Sequence, residues 1–271
     1  MRVSMLRILS GAFVFACGVL VPAFAGSPPP TDESGGAPMR FEWRHEGPTD
    51  ACAPNCRVWI SAVGYITAET PKEFEAFARD PNVRGAVVVF NSDGGSVLGT
   101  LALGRMIRNL DMITTVGKSN KLPAIGRNER FATLSPHGTC ESMCAFLLLA
   151  GVRRYVPPEA RVLVHQIWLG KKRKQALEST YSAEELNVVQ RDIGRLAQYT
   201  IEMGGGVDLL ETALRIPPWE PLYRLSSDEL SRMRLHTVDT PFLDPAPTPM
   251  VGASAAASVA TVGRPGDVPR D

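Results

Sequence analysis

The sequence predicts an α/β domain: a mostly parallel sheet with surrounding helices. Three observations carry this. Short apolar runs (Val87–Phe90, Ile113–Val116, Val162–Val164) read as strands, and the continuous β-branched run Val87–Phe90 as one buried on both faces of a parallel sheet. They alternate with segments of helical period that begin at Thr70, Ser96 and Ser182. Glycine turns separate the two kinds of segment, and no internal repeat divides the chain.

The elements follow in order. Val58-Trp59-Ile60-Ser61-Ala62 is a strand, closed by a turn at Gly64. Thr70-Pro71-Lys72-Glu73 opens a helix, with threonine at the cap, proline at the first position and glutamate three residues on. Phe74, Phe77 and Ala78 give that helix its apolar stripe. Val87–Phe90 is the next strand, and Ser96 to Asn109 the next helix, with Val97, Leu101, Met106 and Ile107 inside. Ile113–Val116 returns to strand. Lys118 to Arg130 is polar, basic and unpatterned, and reads as a surface loop. Ser142 to Leu149 is apolar almost all round, as a buried helix must be. After the strand Val162–Val164, the capping box Ser182-Ala-Glu-Glu185 starts a helix that Leu186, Val189, Ile193, Leu196 and Tyr199 carry towards Gly204.

The ends differ in composition from the middle. Residues 1–25 have the form of an export signal: Arg2 and Arg7, an apolar run from Ile8 to Val21 too short for a membrane span, then Ala23-Phe24-Ala25 as a small-x-small cleavage site. A retained anchor is the alternative reading. Residues 26–39 are rich in Pro, Gly and Ser and read as a flexible leader. Residues 40–240 hold the domain, and residues 241–271 read as a disordered tail with few large apolar side chains. No integral membrane segment is expected after cleavage. Of 29 basic and 28 acidic side chains, removal of the signal takes away two arginines. The remaining balance gives no reason to expect nucleic acid or a membrane surface as partner.

Four cysteines follow the signal, in two pairs, Cys52-x3-Cys56 and Cys140-x3-Cys144. Export to an oxidising compartment predicts disulfides, within each pair or between pairs; four cysteines allow three full pairings. Zinc is the rival, but no histidine stands at a matching short spacing, so no metal is expected. Nor does any motif imply a cofactor.

Three segments carry the chemistry. Gly94-Gly95 lies between a strand and a helix, where free amides hold an oxyanion or simply make a tight turn. Ser142 stands where the chain enters the apolar helix, as a nucleophile at a helix start or as a plain cap. His165 ends a short strand and is the natural general base, or a buried structural histidine. His137, in the polar loop before Cys140, is its weaker rival.

In that order these segments resemble the proteolytic subunit of the Clp protease, within the wider Clp/crotonase fold. The likeness starts at Gly64-Tyr65-Ile66 and runs through Phe90-Asn91-Ser92-Asp93-Gly94-Gly95-Ser96, Glu141-Ser142-Met143-Cys144-Ala145 and Val164-His165-Gln166. It ends with Leu225-Ser226-Ser227-Asp228-Glu229-Leu230 and Val238-Asp239. More narrowly, the chain resembles the exported, Clp-like bacterial periplasmic proteins in which cysteines flank the serine. The resemblance implies a Clp/crotonase-like fold and a serine peptidase in which Ser142 is the nucleophile, His165 the base, and the amides of Gly95 and Met143 the oxyanion hole. It implies peptide or unstructured protein substrates and a homo-oligomer. Asp93 replaces the proline usual before the paired glycines. Where the family's catalytic aspartate belongs, this chain has Arg215-Ile-Pro-Pro-Trp-Glu220, with Pro218 closest by alignment. Glu220 and Glu211 are the candidate acids.

The first reading is therefore a periplasmic Clp-like serine hydrolase using a Ser-His pair, with a Ser-Lys dyad through Lys118 or Lys121 as a variant. The second is a catalytically weak or inactive binding or scaffold protein on the same fold. The third is a crotonase-type acyl-thioester enzyme, which export away from coenzyme A disfavours. The basic run Lys171-Lys172-Arg173-Lys174 reads as a solvated loop or a contact for an acidic partner.

Overall fold

Parallel pairing dominates the main sheet because its central strands are apolar on both faces and need cover on each side. The computed structural model describes residues 36–123, 130–169, 177–178 and 180–242. In chain order the elements are β1 (Arg40–Glu46), α1 (Thr49–Cys52), β2 (Val58–Val63), α2 (Thr70–Phe77), β3 (Val87–Asn91), α3 (Val97–Asn109), β4 (Ile113–Val116), β5 (Lys118–Lys121), β6 (Phe131–Ser135), β7 (Thr139–Glu141), α4 (Met143–Leu148), β8 (Arg153–Tyr155), β9 (Arg161–Val164), α5 (Ala183–Glu202), α6 (Asp208–Arg215), β10 (Tyr223–Arg224) and α7 (Ser227–Arg232). The described residues belong to one compact unit, Asp32–Asp271.

Seven strands form the main sheet in the order β5-β6-β1-β2-β3-β4-β8, and three form a second sheet, β10-β9-β7. In the main sheet β2-β3, β3-β4, β4-β8 and β1-β6 are parallel, while β1-β2 and β5-β6 are antiparallel. One face, through Ile60, Ala62, Val88, Phe90 and Val116, joins the large core with Phe74, Leu103, Ile107 and the whole of α4. The other face, through Trp59, Val87, Val89 and Ile113, packs with Ala132, Leu134 and Phe242.

The stretch from Lys118 does not stay a loop. Lys118–Lys121 is an edge strand, paired with β6 from Lys118↔Ser135 to Lys121↔Ala132. It also lies over the second face, where the Trp59 indole donates to Ser119 Oγ at 2.8 Å. An exposed edge strand of polar residues has no apolar alternation, so its sequence pattern is silent. The cap of α2 also shifts: Glu69 holds the cap position, and Thr70 Oγ1 instead accepts from the Thr67 amide at 2.8 Å. The predicted capping box at Ser182 and Glu185 is present, with both of its hydrogen bonds. Yet α5 is buried only from Leu196 on, and Leu186 is 47% exposed.

The carbonyl end of α4 is held by two arginines. Arg154 is buried and donates through Nη1 to the Leu149 and Met203 carbonyls, at 3.0 and 2.8 Å. Arg108 donates to the carbonyls of Ala150 and Leu149, at 2.8 Å each. Positive charge there complements the carbonyl ends of α4 and α5. Burial, then the positive charges of Arg108 and Arg234, bring the Arg154 guanidinium down to about 10.

The expected export signal, the leader up to residue 35, residues 124–129, the run Lys171–Lys174 and the tail beyond Phe242 lie outside the described residues. Among the described residues no helix is long and apolar enough to cross a membrane. No group of three or more His, Cys, Asp or Glu side chains among them could hold a metal ion.

Candidate active site

The site grows from the carboxyl ends of β3, β7 and β9. β3 ends in Asn91, and the chain turns through Gly94 (φ 87°) and Gly95 (φ 139°), conformations that favour glycine. Space requires glycine as well. A Cβ on Gly94 would stand 2.5 Å from the Glu141 carbonyl oxygen and 2.8 Å from both the Met143 nitrogen and Ser142 Cβ. A Cβ on Gly95 would stand 2.0 Å from the Ile66 carbonyl oxygen. The glycine turn is thus packed directly against the Ser142 turn. Asp93, directly before Gly94, is exposed, so water screens its carboxylate.

Ser142 sits between β7 and α4 at φ 53° and ψ −120°, left-handed backbone in a residue that is not glycine. Such backbone costs roughly 1–3 kcal/mol and persists only where its surroundings enforce it. Here they do. The Ser142 amide donates to the Leu163 carbonyl at 2.8 Å. The Cys140–Cys144 disulfide straddles the residue, and both sulfurs are buried. Ser142 is the N-cap residue of α4, yet its hydroxyl makes no capping hydrogen bond. The cap reading is therefore not what the hydroxyl does. The second pair, Cys52–Cys56, is joined likewise, so both bridges lie within their pairs.

Two amides near the Ser142 turn bear on the predicted oxyanion hole: Met143 follows Ser142 directly, and Gly95 follows Gly94, which packs against that turn. Met143 opens α4, and a helix's first amide has no partner within the helix. Gly95 N–H donates to nothing among the described residues, whereas Gly94 N–H is taken by Ser92 Oγ at 3.1 Å.

β7 and β9 run parallel, with Cys140 opposite Val162 and Glu141 opposite Leu163. Ser142 and His165 therefore leave the same end of the small sheet, one and two residues past the paired register. His165 is half-buried, and the next residue, Gln166, donates its amide to the Ile216 carbonyl at 2.9 Å. The segment that runs beside His165 is thus Ile216-Pro217-Pro218, with Pro218 buried.

Neither candidate acid is held at this point. Glu211 is exposed on α6 and ion-pairs with Arg215 one turn on. Glu220 is exposed, its amide closing a turn onto the Pro217 carbonyl at 3.1 Å. The other bases are engaged elsewhere or exposed. His236 Nδ1 accepts from the Val156 amide at 3.3 Å, and His137 is exposed. Lys121 pairs with Glu42 at 3.2 Å, and Lys118 is exposed on β5.

The residues that hold this geometry together include two to which the sequence reading gave no role. Asn91 Oδ1 accepts from the Thr139 amide at 3.0 Å, tying β3 to β7. Ser92 does the same with its backbone and also binds the glycine turn. The signal was two polar residues ending a strand of buried valines.

A mixed sheet flanked by helices, with a serine turn and a glycine turn at its carboxyl end, makes this an α/β protein of the Clp/crotonase-like kind. The family model described as Clp protease matches residues 128–203, which include Ser142, Met143 and His165 and stop short of the Gly94-Gly95 turn. The match supports a Clp protease-like protein. No curated protein matches the chain.

Proposed function

We propose that this protein is an exported, periplasmic serine peptidase of the Clp-like class, acting on peptides or unstructured protein segments. The observation that carries the reading is Ser142: a strained, half-buried serine whose hydroxyl is not used as a cap, in a turn packed against Gly94, with the Gly95 and Met143 amides undonated among the described residues. His165 accepts the hydroxyl proton as Ser142 Oγ attacks the peptide carbonyl. The two amides hold the oxyanion, the proton passes to the leaving amine, and water then hydrolyses the acyl-enzyme. Two disulfides fit an oxidising compartment. Assembly into a homo-oligomer finds support in the family match and in the largely uncovered first turns of α5.

One observation favours a second reading, a weak or inactive hydrolase that binds rather than cleaves. Where the resemblance places the acid, Pro218 stands, and both candidate glutamates are exposed, Glu211 on an arginine. Loss of the orienting acid costs about four orders of magnitude in triad enzymes.

A serine-directed fluorophosphonate decides between them. The purified, disulfide-intact protein should take the label, and Ser142→Ala and His165→Ala should not. A folded wild type that takes no label leaves the binding protein.

A further inference from the structure

We propose that Ser92 is a positioning residue for the acyl transfer: its hydroxyl takes up the Gly94 amide and fixes the turn so that the Gly95 amide is left to serve the Ser142 site. The kinetic part rests on the peptidase reading; the hydrogen-bond part does not.

Ser92 is 3% exposed at the carboxyl end of a strand that is otherwise apolar. Its Oγ lies 2.6 Å from the Gly64 carbonyl oxygen and 3.1 Å from the Gly94 nitrogen. A carbonyl oxygen only accepts and an amide only donates, so the direction of both bonds is set. The hydroxyl gives its single proton to Gly64 and receives the Gly94 N–H. Gly94 is buried, and an unpaired N–H there would carry a desolvation penalty. The glycine turn offers two amides in succession, and Ser92 removes the first, leaving Gly95 as the undonated one.

The same residue sets the turn against the nucleophile. Ser92 N–H donates to the Thr139 carbonyl at 2.9 Å, and its carbonyl accepts from the Glu141 amide at 2.9 Å. Asn91 Oδ1 adds the Thr139 amide at 3.0 Å. β7 delivers Ser142 immediately after Glu141. One residue therefore binds the oxyanion turn through its side chain and the nucleophile strand through its backbone. Alanine at 92 would keep the backbone bonds and free the turn.

The test uses the purified, disulfide-intact protein with its glycines 15N-labelled. Amide hydrogen exchange in the wild type should be slow at Gly94 and fast at Gly95; equal protection of the two overturns the proposal without any variant. In Ser92→Ala, exchange at Gly94 should quicken tenfold or more. The fluorophosphonate labelling rate, and kcat on an unstructured peptide, should fall by about 10- to 100-fold, with KM within about twofold of wild type, the disulfides intact and the fold kept. Unchanged exchange at Gly94, or unchanged labelling in a wild type that labels, overturns it. A wild type that shows the exchange pattern but takes no label overturns the peptidase reading alone and upholds the hydrogen-bond assignment.

Discussion

Gly94→Ala perturbs the contact between the two turns and nothing else in the sequence. The new Cβ would meet the Glu141 carbonyl oxygen at 2.5 Å and the Met143 nitrogen and Ser142 Cβ at 2.8 Å. Ordinary contact needs about 3.5 Å, so the turns must part by about 1 Å. Alanine at φ 87° adds a backbone cost of roughly 1–2 kcal/mol. Gly85 provides the control: its φ is 71°, and an added Cβ there would meet nothing within 4 Å. Gly85→Ala should therefore carry the backbone cost alone and lower Tm by roughly 2–8 °C, at 2–4 °C per kcal/mol for a domain of this size. Gly94→Ala should cost about 2–4 kcal/mol, the excess being the forced separation. A shift of about 1 Å at a catalytic contact costs about 100-fold in rate. Thermal unfolding and fluorophosphonate labelling of both variants give the two numbers. Gly85→Ala should label like wild type and Gly94→Ala about 100-fold more slowly. Equal Tm and equal labelling in the two variants would refute the packed arrangement of the glycine and serine turns.

The remaining predictions concern the two bridges and the neck of the β1–β2 connection. Cys140 and Cys144 are fully buried while Cys52 and Cys56 are half-buried, so mild reductant should open Cys52–Cys56 first. Alkylation mapped by mass spectrometry reads the order, and early opening of Cys140–Cys144 would contradict the burial of the Ser142 turn. Glu46 has its pKa lowered, chiefly by its side-chain hydrogen bond from Arg57. Its folded carboxylate binds protons less readily than its unfolded one, so this contribution is full above about pH 4.3, the unfolded value, and fades as pH falls through the lower folded one. Both side chains are partly exposed, so it should amount to at most about 1 kcal/mol. Glu46→Gln should flatten the acid limb of the stability curve by that amount, and parallel curves for wild type and variant would refute the assignment.

Much of the core was legible because burial imposes a pattern. Val87–Phe90 and Ile113–Val116 read as strands, and β3 and β4 are buried on both faces. Ser96 reads as the start of a helix, and its Oγ accepts from the Gly99 amide at 3.1 Å. Elements with one wet side or little length were not read: β5 is polar and at an edge, and β7 and β8 are three residues each. Too few residues there repeat for any period to show. At the candidate site, the residue types in Gly94-Gly95, Ser142 and His165 were visible as candidates, each with a bland alternative that its motif alone could not displace.

The alternation of strand and helix, the order of glycines, serine and histidine, and the two spaced pairs of cysteines all stand in the order of residues alone. These are properties of local order, which the chain carries whatever its fold. The folded chain adds the pairing of the cysteines, the left-handed backbone at Ser142 and the contact of Gly94 with Ser142 and Met143. It also decided that Ile216, from the segment that holds Pro217 and Pro218, accepts the amide of Gln166, next to His165. The bridges join cysteines four residues apart, where spacing leaves the choice among three pairings open; the other facts join residues about 50 positions apart or depend on strand pairing. Distance in sequence says nothing about which backbone amides remain undonated once the sheets have taken theirs.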